Sequence, residues 1–459
     1  MFPPVVRHLV YPLHERVLGR PTFRCLRELE DSQWVSPDDL GRLQERKLLA
    51  LLRHAYANTA FYRRRFRQAG VDITNREPYE MLARLPLLDK SEIREDLDSM
   101  VCRSVPGGVF PCVTGGSTGE PLMFWFDRRR QAYDQAARIR THRWFGVDVG
   151  QRELYLWGSP IESRRTNLLK RVRDALFNER LISAFSMSEA RMDDYLEVVE
   201  RFRPACIFGY PSSLALLAEY AESRGRQVNT PCLRAVFVTG EVCYSHYRRV
   251  IESYFGVPVA DGYGSREVGF IAHECPRKST HLMGENVLVE IVENGQPVQV
   301  GQAGEIVVTH LDAYAMPFIR YRTGDIGRLR PGRCECGRGL PLLDVVQGRA
   351  TDFLYLPNGD VKHALSIIYP LRSMNGLRQF RVTQHEDYTL TVDVVCDDRN
   401  VRVTRDAVID SVRPVVDGQV AVRVEMVDRI PSVESGKYRY VVSHARPSNA
   451  RLLEMDARG

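Results

Sequence analysis

The sequence predicts an α/β protein: a large N-terminal domain of layered α/β sheets with a β-rich subdomain, followed by a small α+β C-terminal domain. Three observations predict it. "ACIFGY" (205–210), "PSSLALLAEYAESRG" (211–225) and "LRAVFVTGE" (233–241) read strand, helix, strand, the crossover unit of a parallel sheet. From residue 286 the rhythm changes, and "NVLVEIVENGQPVQVGQAGEIVVTHL" (286–311) gives short strands divided by Asn-Gly and Gly-x-x-Gly turns, a β-rich stretch that extends to 345. Past Gly348 and Arg349 the chain has its own strands, "YTLTVDVVCD" (388–397) and "VAVRVEMVD" (420–428), with a helix expected over 401–415. The boundary therefore falls near 348, giving domains 1–348 and 349–459.

The elements follow in order. "MFPPVVRHLVYPLHERVLGR" carries Val6, Leu9, Val10, Leu13, Val17 and Leu18 at near-helical spacing. Pro12 and Glu15 spoil a basic amphipath, so a helix packed on the protein body is expected, with a membrane-surface helix as the alternative. Arg, His and Pro interrupt it where a signal peptide would be apolar, and no apolar run reaches the roughly 18–20 residues of a membrane span; the expected location is the cytoplasm. "SPDDLGRLQERKLLALLRHAYANTAFY" (36–62) opens with Ser36 as N-cap, Pro37 at the first helical position and Asp39 closing a capping box. An apolar stripe follows at Leu40, Leu43, Leu48, Leu51 and Leu52. The net charge of +6 arises from 64 basic and 58 acidic residues along the whole length, with no block that suggests a nucleic-acid arm.

Ten cysteines in a chain of this size do not form a disulfide framework. Three stand apart from the rest. Cys334 and Cys336 form "RCECGRG" (333–339), and "HECPRKSTH" (273–281) holds Cys275 and His281. Thiolates and imidazole suit a tetrahedral d10 ion, so the two pairs read as a structural Zn2+ site of Cys3His type, joining the β-rich subdomain to the sheet. His273 competes with His281 as the nitrogen ligand, and a glycine-rich turn with incidental thiols is the plainer reading.

"VTGGSTGEPL" (113–122) is a different kind of segment. Gly115, Gly116 and Gly119 let backbone N–H groups approach an anion, and Thr114, Ser117 and Thr118 offer hydroxyl donors, the composition of a phosphate cradle. The lysine of a Walker loop is absent. Four more stretches follow it: "VFVTGE" (236–241), "DGYGSREVG" (261–269), "RYRTGDIG" (320–327) and "PSVESGKYRY" (431–440).

Taken together, these five ordered motifs resemble the adenylate-forming superfamily of acyl-CoA ligases. The short "YRTGD", the Cys/His pairs and the N-terminal helices resemble its phenylacetate-CoA ligase branch, CapK-like proteins included. The resemblance covers residues 35–445. It implies an ATP-dependent ligase that makes an acyl-adenylate from a small-molecule carboxylic acid and passes the acyl group to CoA. On the family pattern, Thr114 to Gly119 hold the departing phosphates. Tyr263 stacks on adenine, with Gly240, Glu241, Gly264 and Ser265 around the nucleotide, and Glu267 binds Mg2+. Asp325 accepts from both ribose hydroxyls with Arg349 assisting, and Lys437 sits between the carboxylate and the α-phosphate. Phe208, Gly209 and Tyr210 become candidate walls of the acid pocket, or simply core at a strand end. The small last domain is expected to be mobile, turning after Gly348-Arg349 between the two half-reactions.

Some positions depart from the family pattern. Arg266 replaces the Thr or Ser that precedes the metal-binding glutamate, and Leu122 stands where many relatives carry lysine. Thr351, followed by Asp352, occupies the usual hinge position. "LYLPNGDVKHAL" (354–365) stands where CoA ligases carry a glycine-led loop against the pantetheine. These departures keep a second reading open, transfer to an amine, a hydroxyl or a carrier-protein thiol, and a third, a zinc-stabilised nucleotide-binding scaffold without catalysis.

Overall fold

The structure is a computed structural model and describes residues 1–113, 122–158, 167–185, 187–347, 353–372, 374, 376–396, 403–428, 430 and 440–445. Thr114 to Gly119, Arg349, Thr351, Asp352 and Lys437 lie outside the described residues.

The chain opens with a continuous helical segment, Pro3–Val5, Val6–Val10 and Tyr11–Val17, whose middle turn is wound as a π-helix. It lies on the body as expected, but only part of its aliphatic stripe turns inward. Val6, Tyr11 and Glu15 are buried, while Leu9, Leu13 and Val17 face outward. The buried Glu15 carboxylate accepts from Arg20 and from Thr22. The helix Pro37–Asn58 starts as its sequence dictates: the Ser36 hydroxyl accepts the Asp39 N–H at 3.1 Å and donates to the Asp39 carboxylate. Leu40, Leu48, Leu51 and Leu52 are buried, each contributing roughly 2 kcal/mol of apolar transfer.

A hairpin, β1 (Val109–Val113) and β2 (Met123–Asp127), brackets the glycine-rich loop. The main sheet is built from β3 (Glu153–Trp157), β4 (Glu179–Ser183), β5 (Cys206–Gly209), β6 (Ala235–Thr239), β7 (Val259–Ser265), β8 (Gly269–Glu274), β9 (Thr280–Leu282), β10 (Val287–Glu293), β11 (Gln296–Pro297), β12 (Gly304–His310), β13 (Tyr321–Arg330) and β14 (Leu342–Gln347). Its order is β11-β10-β12-β13-β14-β9-β8-β7-β6-β5-β3-β4, with β4, β3, β5, β6 and β7 parallel to one another.

The β-rich stretch is thus a continuation of the parallel sheet. The two halves meet at one registered pair, Leu342 with His281. The helix Pro211–Ser223 crosses between β5 and β6 and buries Leu214, Leu217, Ala218 and Ala221. Within the described part of 353–445, a four-stranded sheet and two helices enclose a core of their own around Ile367, Phe380, Val392 and Val408. One of those helices, Arg405–Val412, lies inside the span expected from sequence.

Candidate functional site

The parallel strands end side by side. Their register sets Leu156 of β3 against Gly209 of β5, Gly209 against Val238 of β6, and Thr239 against Gly262 of β7. A crevice outside the carboxyl ends of such strands is where open α/β sheets bind ligands. The Thr239 hydroxyl donates to the Gly262 carbonyl and ties the last two strand ends together.

Tyr263 leaves β7 at this rim, and a register irregularity follows between it and Gly264. Its hydroxyl donates to Asp325 Oδ2 at 2.9 Å, joining residues 62 apart in sequence. Asp325 reaches that position through an irregular stretch of β13: Val307 pairs Arg322 while Glu305 pairs Ile326, leaving Thr323, Gly324 and Asp325 to oppose Ile306. Gly324 has φ +78°, a conformation that costs any residue with a Cβ, which accounts for the glycine of "YRTGD". The Thr323 hydroxyl donates to the Ile306 carbonyl and accepts the Asp325 N–H at 3.1 Å, so the carboxylate is held on a fixed turn.

Glu267, four residues on from Tyr263, is buried. The hydroxyl of Tyr321, itself buried at the start of β13, is 3.4 Å from Glu267 Oε1, and the Lys90 ammonium is 3.5 Å from the same oxygen. Sequence reasoning missed both partners. Lys90 sits in "LLDKSEI", where it reads as a solvated lysine at a helix start; Asp89 and Glu92 form the capping box of Lys90–Met100. What brings it inward is the isolated bridge of Leu88 to Tyr321, with Leu88 N–H on the Arg320 carbonyl at 2.9 Å. No local sequence signal encodes that contact.

Arg266 Nη1 donates at 3.2 Å to the carbonyl of Val113, the last described residue before the glycine-rich loop. The buried Arg130 donates to the Arg266 carbonyl at 2.7 Å, fixing the turn that carries Glu267. Arg266 therefore stands at the root of the loop. Asp261, on β7, has its carboxyl pushed up to about 7 by burial and then by the like charge of Glu274.

The three pocket candidates occupy different environments. Tyr210 is buried and stacks on Trp157, with ring centroids 4.0 Å apart and planes at 16°. Phe208 packs on Trp157 and Tyr155 from the adjoining strand. At Gly209 a Cβ would lie 2.7 Å from the Leu156 carbonyl, so nothing larger fits. Gly240 backs onto the Tyr210 ring, and the carboxylate of Glu241 accepts from Ser212 at the start of the crossover helix. Trp157 is the aromatic that the sequence reading did not single out. Ser265 accepts the Val268 N–H, and Gly264 approaches the Gly269 carbonyl too closely for a side chain.

The Cys/His pairs also come together. Cys275 follows β8, His281 lies in β9, and Cys334 and Cys336 occupy the loop between β13 and β14. One ligand atom from each lies within 4.8 Å of all the others. Cys275 Sγ and Cys334 Sγ are 3.7 Å apart, and Cys336 Sγ is 3.3 Å from His281 Nε2. The Nδ1–H of His281 points to the Leu340 carbonyl at 3.4 Å, which leaves Nε2 as its acceptor nitrogen. His273 is elsewhere, with Nδ1 on the Glu274 carbonyl at 2.8 Å and its ring stacked on Phe270.

Comparison with known proteins gives consistent findings. Residues 181–312 match the AMP-binding enzyme family and residues 354–444 match the CapK C-terminal domain. A phenylacetate-coenzyme A ligase of Thermus thermophilus is 26% identical over 334 residues, 70% of this chain and 72% of that protein. Protein CapK of Staphylococcus aureus is 23% identical over 437 residues, covering 89% and 90%. Among solved structures, a 2-hydroxyisobutyryl-CoA ligase in complex with 2-HIB-AMP and CoA has the same fold, with a TM-score of 0.62, 20% identity, and coverage of 90% of this chain and 91% of that one.

Proposed function

The chain falls in the adenylate-forming superfamily, on the branch of the phenylacetate-CoA ligases and CapK, and from that premise we propose that it converts a small carboxylic acid to an acyl-adenylate with ATP and passes the acyl group to the thiol of CoA. A carboxylate cannot be displaced directly, because oxide would be the leaving group. In the first step a carboxylate oxygen attacks the α-phosphorus and pyrophosphate departs; in the second the CoA thiolate attacks the acyl carbon and AMP departs.

The observation that carries this reading is the Tyr263 hydroxyl on the Asp325 carboxylate at 2.9 Å, with Glu267 buried four residues on from Tyr263. Asp325 takes both ribose hydroxyls, since a carboxylate offers two acceptor oxygens with a geometry that a vicinal diol matches. Tyr263 supplies a ring face for adenine and, through its hydroxyl, keeps Asp325 oriented. Glu267 is an oxygen donor suited to a hard cation, and Mg2+ bound there neutralises phosphate charge. Lys90, on the same carboxylate oxygen, adds a fixed cation to that corner. Thr114 to Gly119, Arg349 and Lys437 take the phosphate, ribose and α-phosphate roles that the family pattern gives them. Trp157, Phe208 and Tyr210 form the aromatic side of the acid pocket, which suits a flat substrate. Residues 1–348 and 349–459 act as two domains, the second turning between half-reactions, and the enzyme works in the cytoplasm.

Cys275, His281, Cys334 and Cys336 hold a structural Zn2+. With Zn–S bonds of about 2.3 Å, tetrahedral geometry sets sulfur atoms roughly 3.8 Å apart, against 3.7 Å for Cys275 and Cys334. Four protein ligands leave no open position, so this ion takes no part in the chemistry. It braces the seam where a single registered pair joins the two halves of the sheet.

The test is carboxylate-dependent release of pyrophosphate from ATP and Mg2+ over aryl, arylacetic, short aliphatic, hydroxy and amino acids, with and without CoA, and with Lys437→Ala as control. Turnover on one acid that CoA accelerates and the control loses supports the ligase. Adenylation that CoA leaves unchanged would sink the second half of the proposal.

A further inference from the structure

We propose that the N-terminal helical segment seats this protein on an anionic lipid bilayer surface. Segment 3–17 is fastened along one side: Val6, Tyr11 and Glu15 are buried, and the Phe177 ring packs on Tyr11 at 5.3 Å and on His14 at 4.8 Å. Among the described residues nothing covers the other side. Phe2, Val5, Leu9, Leu13 and Val17 recur every three or four residues with exposures of 68, 41, 62, 57 and 77%, so they form one stripe along the helix. The helix Asn167–Phe177, beside it, adds Val172 and Leu176, both exposed.

Single exposed aliphatic residues are ordinary, but a concentration of them is not. Of the fifteen exposed large hydrophobic residues in the described chain, eight belong to these two segments: the seven named and Met1.

Charge selects the partner. Residues 1–20 and 167–180 hold seven Lys/Arg against three Asp/Glu, a local net charge of +4, although Arg7 pairs with Asp148 at 2.8 Å. The three acids add little outward negative charge, since Glu15 is buried against Arg20 and Asp174 pairs with Arg173 at 2.6 Å, while burial pushes the Glu179 carboxyl up to about 7. Arg16 and His8 are exposed at the edges of the stripe. A second copy docking on this face would oppose its own net positive charge. A layer of anionic headgroups neutralises that charge while the acyl region takes up the stripe, the arrangement of an interfacial helix. No described helix is long and apolar enough to cross a membrane, so the helix lies in the plane of the surface.

The test is co-sedimentation of the full chain with vesicles of equimolar phosphatidylcholine and phosphatidylglycerol, and with vesicles of phosphatidylcholine alone. The expected result is binding to the anionic vesicles that is weakened at least about tenfold on neutral ones, and about tenfold by Leu9→Glu with Leu13→Glu. Val172→Glu, on the second helix, should weaken it independently. These positions are exposed, so thermal midpoints should not move. Anionic-vesicle binding that is absent, or that both sets of variants leave unchanged, overturns the proposal. So does a dimer in sedimentation velocity that Leu9→Glu with Leu13→Glu abolishes, because the face would then belong to a second copy.

Discussion

Two polar clusters sit on this sheet, and they are built on opposite principles. Around Cys275, His281, Cys334 and Cys336, four ligand atoms lie within 4.8 Å of one another, a full set for a tetrahedral ion supplied by the protein itself. At Asp325 and Glu267, each carboxylate is contacted by a hydroxyl, Tyr263 or Tyr321, and Glu267 also by the Lys90 ammonium. Ligands aimed at one point gain their stability once, at folding; carboxylates held by hydroxyl and ammonium partners can exchange those partners for the groups of a substrate. The difference assigns structure to the first cluster and chemistry to the second, and several measurements can break or sharpen that assignment.

The largest effect is expected from Cys334→Ser. Zinc content should fall from about one per chain toward none, with a stability loss on the order of several kcal/mol; unchanged metal content and unfolding midpoint would reduce the cluster to incidental thiols. Asp325→Asn should do the reverse, leaving the thermal midpoint in place. Two charge-assisted hydrogen bonds of roughly 1.5–3 kcal/mol each are weakened, so kcat/KM for ATP should drop by about 10²–10³. Glu267→Gln should cost about 10² in kcat, with part of it recovered at higher Mg2+; a loss indifferent to Mg2+ would place the metal elsewhere. Tyr263→Phe keeps the ring and deletes one hydroxyl, so about fivefold in KM for ATP is expected from a bond worth about 1 kcal/mol, and a larger loss would mean that orienting Asp325 matters more than stacking.

The smallest effect concerns pH. The Asp261 carboxyl, at about 7 when folded against 3.8 in its ordinary state, binds its proton more tightly in the native protein. Its contribution to stability is therefore fully present below about pH 4 and lost as pH rises toward 7. Asp261→Asn should flatten that decline in a series of denaturant melts, and an unaltered slope would show that the group does not titrate there.

Much of this was readable from the sequence, for reasons visible in particular residues. Ser36, Pro37 and Asp39 start a helix because capping is a matter of neighbours three residues apart. The strand, helix and strand of 205–241 follow from apolar runs and their turn residues, and Cys275, Cys334 and Cys336 with either His281 or His273 form a coherent ligand set through residue type. Lys90 and Tyr321 were not legible as partners of Glu267, nor was Trp157 as the stacking partner of Tyr210. Each pairing joins segments that are distant in sequence, through a bridge or a strand register that leaves no local trace. The aliphatic stripe of the first twenty residues was legible as a stripe, but which face it would turn to the body was not.

What the sequence determined by itself was whatever depends on short-range periodicity and on chemical type: the α/β class, the parallel crossover, the ordered motifs and the identity of the candidate ligands. The tertiary structure alone decided that the β-rich strands extend the parallel sheet, that His281 and not His273 faces the thiols, that Tyr263 meets Asp325, and that Leu9, Leu13 and Val17 point outward. These are questions of register and packing. Shifting a strand by one residue reverses the face of every side chain on it, and no window of sequence short enough to read locally contains both partners of such a contact.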